Sequence, residues 1–152
     1  MIMLNIGDQA PGFSGQNQDE ETIALSDFSG KNVVLYFYPR DNTPGCTKEA
    51  CSFRDNLEAL ADNNTVVVGV SADSAASHKR FADKYELNFH LLADPDKETI
   101  AAYQAWGEKK MYGKTKEGIL RITYVIGPDG VIKATFPKVK TATHAEEILA
   151  VL

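Results

Sequence analysis

Asn32-Val33-Val34-Leu35-Tyr36-Phe37-Tyr38 runs directly into Pro39-Arg40-Asp41-Asn42-Thr43-Pro44-Gly45-Cys46, and the rest of the chain is read outward from this stretch. Residues 32–38 are almost all β-branched, aliphatic or aromatic, the pattern of a strand covered on both faces. Two prolines then restrict the backbone, so the chain leaves the strand through a loop with few alternatives. Beyond the loop, Cys46, Ala50, Phe53, Leu57 and Leu60 recur at spacings of four and three. That period predicts a helix over residues 46–62 with one apolar face.

The same logic extends in both directions. Residues 65–71 (TVVVGVS) and 120–126 (LRITYVI) read as further buried strands, and 90–93 as a shorter one. Gly127-Pro128-Asp129-Gly130 is a turn signal, with residues 131–136 as the hairpin partner. Residues 75–85 and 96–105 are helix candidates, and Ser74 is placed to cap the first. Thr143-His144-Ala145-Glu146 has the form of a capping box opening a helix that ends near Leu152. Strands alternating with helices, and a late hairpin, predict an α/β fold with a central mixed sheet flanked by helices. No repeat, low-complexity tract or linker interrupts residues 1–152, which read as one domain.

A net charge of −5 argues against a broad nucleic-acid-binding face. The one basic stretch, 107–118, carries Lys109, Lys110, Lys114 and Lys116 beside Glu108 and Glu117, and reads as a solvated loop. No run approaches the roughly 18–20 apolar residues of a membrane span. Residues 1–6 hold no Lys or Arg, and the first basic residue is Lys31, so no signal peptide is predicted and the expected compartment is the cytoplasm. Thiols stay reduced there, so Cys46 and Cys51 point to catalytic, redox or metal chemistry rather than to a structural bridge.

Cys46 falls where the first long strand gives way to the first long helix, a favoured place for chemistry in open α/β sheets. In a first helical turn, unpaired N–H groups and the positive end of the dipole favour an anion. The thiolate is the nucleophile, and such a position can lower a thiol's pKa below the free value of about 8.5. The same N–H groups can hold an oxygen anion leaving a peroxide. Thr43 adds a hydroxyl one turn before the sulfur. The competing interpretation, a small buried hydrophobe on the inner face of a helix, describes many free cysteines.

The order Pro39-x-x-x-Thr43-x-x-Cys46 after a hydrophobic strand resembles the peroxidatic motif of the peroxiredoxins. Thr43-Pro44-Gly45-Cys46 followed by Cys51 is similar to the bacterioferritin-comigratory, or Q-type, subfamily. The resemblance continues through Gly7-Asp8-Gln9-Ala10-Pro11, Trp106-Gly107-Glu108-Lys109, Gly118-Ile119-Leu120-Arg121-Ile122 and the turn at 127–130. One departure is Ala10-Pro11-Gly12-Phe13, where the family usually has Asp in the third place. The resemblance implies a thioredoxin-like fold, with no metal, flavin or haem. It implies that Cys46 attacks the O–O bond and becomes a sulfenic acid, and that Cys51 closes a disulfide onto it. Thr43 would orient the peroxide and Arg121, a strand arginine, would stabilise the thiolate. Pro39, Gly45 and Glu49 would surround the pocket, Glu49 bracing Arg121. A peroxide substrate, thioredoxin or glutaredoxin as reductant, and a monomer are the further implications.

Taken alone, several of these residues have plainer interpretations. Arg121 resembles a strand-edge surface charge, and Glu49 a first-turn acid favoured by the helix dipole. Trp106 and Tyr103 read as core, and His78, His90 and His144 as structural or surface groups without general-base spacing to Cys46. Two other functions compete. A disulfide oxidoreductase typically uses C-x-x-C, whereas this chain has C-x4-C. A metal carrier needs ligands that two cysteines without a neighbouring histidine do not supply.

Overall fold

The computed structural model describes residues 3–111 and 113–152, the side chains of Lys110 and Met111 excepted. Met1 and Ile2 of the N-terminal stretch lie outside the described residues, as does the side chain of Lys110 in the basic stretch. The strand expected at 32–38 is β3 (Asn32–Phe37), the middle of a five-stranded sheet. It pairs in parallel with β4 (Thr65–Ser71), which pairs in parallel with β5 (His90–Ala93). On its other side it pairs antiparallel with β8 (Thr123–Ile126), which turns back into β9 (Ile132–Phe136). Every residue of β3 is buried, because its period-2 side chains enter two different cores. Val33, Leu35 and Phe37 pack with Ile100, Tyr103 and Tyr124 on one face. Val34 and Tyr36, followed by Tyr38, pack with Cys46, Ala50, Phe53, Phe81 and Ile148 on the other. Each such aliphatic or aromatic burial stabilises the fold by roughly 1.5–3 kcal/mol.

The helix expected over 46–62 is two helices, α1 (Pro44–Asp55) and α2 (Leu57–Asp62). Pro44 opens α1 at a position where its missing N–H costs nothing. Asn56 breaks the run by donating its side-chain amide to the Ser52 carbonyl at 2.8 Å, competing with the backbone ladder. Helix α3 (Ala75–Tyr85) matches expectation, with Ser74 Oγ accepting from Ser77 N at 3.1 Å. Helix α4 (Glu98–Ala102) is shorter than the predicted 96–105, since Lys97 takes a left-handed φ of 61° at its start. Helix α5 (His144–Leu149) forms without the expected capping box: Thr143 makes no side-chain cap bond. Glu147, rather than Glu146, accepts from the Lys140 N–H at 3.3 Å.

Two hairpins were not expected. Strands β1 (Ser14–Gln16) and β2 (Thr22–Ala24) form one, and β6 (Trp106–Met111) with β7 (Lys114–Ile119) the other. The second replaces the solvated loop read at 107–118, although Lys114 and Lys116 are exposed on it. Trp106 is 39 % exposed on this hairpin, not core, with Lys97 Nζ 5.4 Å from its ring centroid; Tyr103 is fully buried.

Candidate active site

Cys46 occupies the third position of α1, directly beyond β3 and its loop, and is 1 % exposed. The N–H groups of Gly45 and Cys46 have no acceptor inside the helix, and Thr47 N is the first to be paired, donating to Thr43 O at 2.8 Å. Thr43 is the N-cap, and its hydroxyl donates to Arg40 O at 3.0 Å. Having given its proton to that carbonyl, Oγ1 is left with acceptor lone pairs.

Arg121 is not on a strand. It lies just before β8, in a tight turn closed by Ile122 N donating to Leu120 O at 3.0 Å. The turn aims the guanidinium across the sheet end to α1. There Nη2 lies 3.1 Å from Cys46 Sγ, and Nη1 donates to Glu49 Oε1 at 2.7 Å. The contact at Sγ gives Cys46 a cationic partner that a simple core cysteine lacks. Burial opposes Arg121's charge, but Cys46 and Glu49 more than offset it and hold the side chain firmly protonated. Gly45 makes room for it, since a Cβ there would stand 3.2 Å from Nη2.

Glu49 is in the second turn of α1, too far in to be a first-turn dipole acid, and its side chain is fully buried. Burial pushes its carboxyl up to about 7, with Arg121 opposing through charge and hydrogen bond. Oε2 has no hydrogen-bond partner among the described residues. Pro39 is half-buried beside the loop, and Cys51 is half-buried two turns along α1. Both cysteines are free thiols. The structure thus brings together Cys46, Gly45, Glu49 and Arg121 in direct contact, with Thr43 and Pro39 on the adjoining loop and Cys51 apart.

Sequence reasoning missed two buried groups that fix this site. His144 is fully buried, with Nε2 2.8 Å from Thr123 Oγ1 and 3.9 Å from Glu49 Oε2. Asp41, in the loop itself, accepts from Tyr38 OH at 2.6 Å and from Ser77 Oγ at 2.8 Å, and pairs with buried His78 Nδ1 at 2.7 Å. Its own N–H donates to Asp73 Oδ2 at 2.8 Å, tying the loop to the start of α3. Lys109 on β6 is also near: burial lowers its pKa, Arg121 adds to this, and Cys46 opposes it.

A thioredoxin-like sheet carrying a guanidinium-braced cysteine at a helix N-terminus defines a protein of thiol redox chemistry. The chain belongs to the AhpC/TSA family, which matches residues 6–135, and it is a peroxiredoxin of the bacterioferritin-comigratory, Q-type group. It is 44 % identical over 149 residues to peroxiredoxin Bcp of Escherichia coli (strain K12), covering 98 % of this chain and 96 % of that protein. The putative peroxiredoxin bcp of Haemophilus influenzae matches equally, at 44 % over 149 residues with the same coverage. Among solved structures, a cysteine-to-serine variant of PrxQ from Xylella fastidiosa superposes with a TM-score of 0.90. That match is at 36 % identity, covering 99 % of this chain and 96 % of that one. The bacterioferritin comigratory protein of Xanthomonas campestris, described for its alkyl peroxide reduction activity, gives 0.85 at 36 % identity, with 91 % and 88 % covered. Family membership makes the chain a thiol-dependent peroxidase, with a peroxide substrate and a thiol reductant.

Proposed function

We propose that Cys46 is the residue that reduces the peroxide and that Cys51 resolves the product. The observation that carries this is the 3.1 Å contact between Arg121 Nη2 and Cys46 Sγ. The Cys46 thiolate donates an electron pair to one peroxide oxygen; an S–O bond forms as the O–O bond breaks. Sulfur is oxidised to the sulfenic acid, and the other oxygen leaves as alkoxide or hydroxide, which takes a proton from solvent. Arg121 and the free N–H groups of Gly45 and Cys46 face the charge that develops, and Thr43 Oγ1 accepts the peroxide O–H. Pro39 walls the pocket and Glu49 holds Arg121 in place. The Cys51 thiolate then attacks the Cys46 sulfur, expelling hydroxide and forming the disulfide. A dithiol protein such as thioredoxin, or glutaredoxin, returns both thiols by exchange through a mixed disulfide.

Intact mass after one equivalent of peroxide tests the sequence of events. Wild type loses two hydrogens as the Cys46–Cys51 bond forms, and thioredoxin restores the starting mass. Cys51→Ser instead gains one oxygen, localised to Cys46. Oxygen found on Cys51, or an oxidised wild type without the Cys46–Cys51 bond, would overturn the assignment.

A further inference from the structure

Glu49 and His144 meet behind Arg121 in a way that bracing alone does not require. One Glu49 oxygen holds Arg121, and the other is buried with no hydrogen-bond partner among the described residues, as is the Tyr36 hydroxyl. An ionised carboxylate in that position leaves a charged oxygen unsatisfied, which costs more than an unpaired neutral group. The nearest ring nitrogen is His144 Nε2 at 3.9 Å, about 1 Å beyond a hydrogen bond.

The hydrogen-bond partners of His144 assign its tautomer. Nδ1 lies 3.1 Å from Glu147 Oε1, which also accepts from Lys140 N at 3.3 Å, so Nδ1 is the protonated nitrogen. Burial lowers the pKa of His144, Glu147 opposes this and Arg121 adds to it, and the ring is neutral. Nε2 therefore carries no proton. Thr123 donates its hydroxyl to it at 2.8 Å, and Glu49 Oε2 lies 3.9 Å from the same nitrogen. A ring nitrogen without a proton gives Oε2 no donor, so nothing on that side offsets a charge on the carboxyl.

We propose that His144 is a positioning residue for the peroxide reaction: its unprotonated Nε2 withholds a donor from the buried Glu49 Oε2, so that Glu49 stays a neutral acid and the charge of Arg121 is left to Cys46. The inference rests on Cys46 as the attacking residue. Glu49 is faced by Arg121 from the turn before β8, by Cys46 on its own helix, by Tyr36 on β3 and by His144 on α5. Glu147 stands behind His144, and Lys109 of β6 faces Arg121 and Cys46. Arg121 alone among these is a fixed cation in contact with Glu49, so the proton on Oε2 decides whether one anion or two share it. An acid at Glu49 still accepts from Nη1 through its carbonyl Oε1, more weakly than a carboxylate does, so the brace persists while the competition for charge falls away.

Infrared difference spectroscopy across a pH titration reads the carboxyl directly and needs no turnover. A protonated-carboxyl band absent from Glu49→Gln is expected in wild type at about pH 6, fading near 7. His144→Gln places an amide donor beside Oε2, and the band is lost at about pH 6. Its rate with hydrogen peroxide falls about three- to tenfold at that pH, and returns toward wild type at about pH 8, where Glu49 is ionised in both. Glu147→Ala frees the tautomer from a partly exposed position, keeps the core intact, and shifts the band in the same direction. The inference is overturned if wild type has no such band, or if both variants slow the reaction equally at the two pH values. Loss of all activity in Cys46→Ser tests the nucleophile separately and leaves the band in place.

Discussion

A methyl group at Gly45 would stand 3.2 Å from Arg121 Nη2, on a guanidinium anchored at Cys46 and at Glu49. Gly45→Ala should therefore move the guanidinium by a few tenths of an ångström and slow peroxide reduction several-fold, with little change in thermal stability. Stopped-flow peroxide consumption beside a melting curve checks both halves. Arg121→Ala should cost about one to two orders of magnitude in rate, the usual loss for one donor to a developing anion. Arg121→Lys should recover little, because a point charge cannot span Sγ and Oε1 as a planar fork does. Peroxide consumption by the two variants at equal enzyme concentration measures this. The positions of Thr43 and Cys46 at the start of α1 are legible from local pattern, whereas Arg121 is named only by the resemblance, which sets it on a strand that it does not occupy. His144 is not legible, because its burial comes from packing against Phe53 and Phe136, neither adjacent in sequence.

Helix α1 holds Cys46 and Cys51 five residues apart without interruption. Residues so spaced are about 7.5 Å apart along the axis and about 140° around it, giving Cα atoms roughly 8–9 Å apart. A disulfide needs about 7 Å or less, so the proposed Cys46–Cys51 bond requires the first turns of α1 to unwind. The Cys46–Arg121 and Glu49–Arg121 contacts and the bond from Ala145 N to Ser52 Oγ, at 3.0 Å, stand in the way. Amide exchange should quicken across roughly residues 43–53 after stoichiometric peroxide, while β3 and β4 stay protected. Cys51→Ser should lack the change. Unaltered protection in a protein carrying the bond would contradict the helical geometry. Elements with strong period or buried runs, such as β3, β4 and α3, were legible from sequence to within a residue. The β6–β7 hairpin was not, since residues 107–118 are dominated by charged and small side chains and give no apolar face to read. Nor was the break at Asn56, which depends on one side chain capturing the Ser52 carbonyl in preference to solvent.

Across the whole molecule, the fold gives up stability to keep an acid buried beside the Cys46 sulfur. Glu49 would ionise near 4.5 when exposed and does so at about 7 in the fold. Between those values the folded chain binds the extra proton, so stability is greatest below the lower one and declines as pH rises through the higher. The decline attributable to this residue is about 3 kcal/mol, to order of magnitude. Urea midpoints at about pH 5 and about pH 8 should fall with pH in wild type and much less in Glu49→Gln. The two-sided burial of β3 was legible at this scale from residues 32–38 alone, and it fixed where Cys46 would sit. Which polar groups would accompany the cysteine into the interior was not, because Glu49 and Ser52 interrupt an apolar face that the period assigns to the core.

Peroxide consumption by Cys46→Ser, supplied with thioredoxin and its reducing system and compared with wild type at equal concentration, tests the central assignment most directly. Serine is close to cysteine in size but does not ionise near neutral pH, so the variant should fold as wild type does and consume no peroxide above the enzyme-free rate. Turnover by Cys46→Ser comparable with wild type would mean that the nucleophile lies elsewhere.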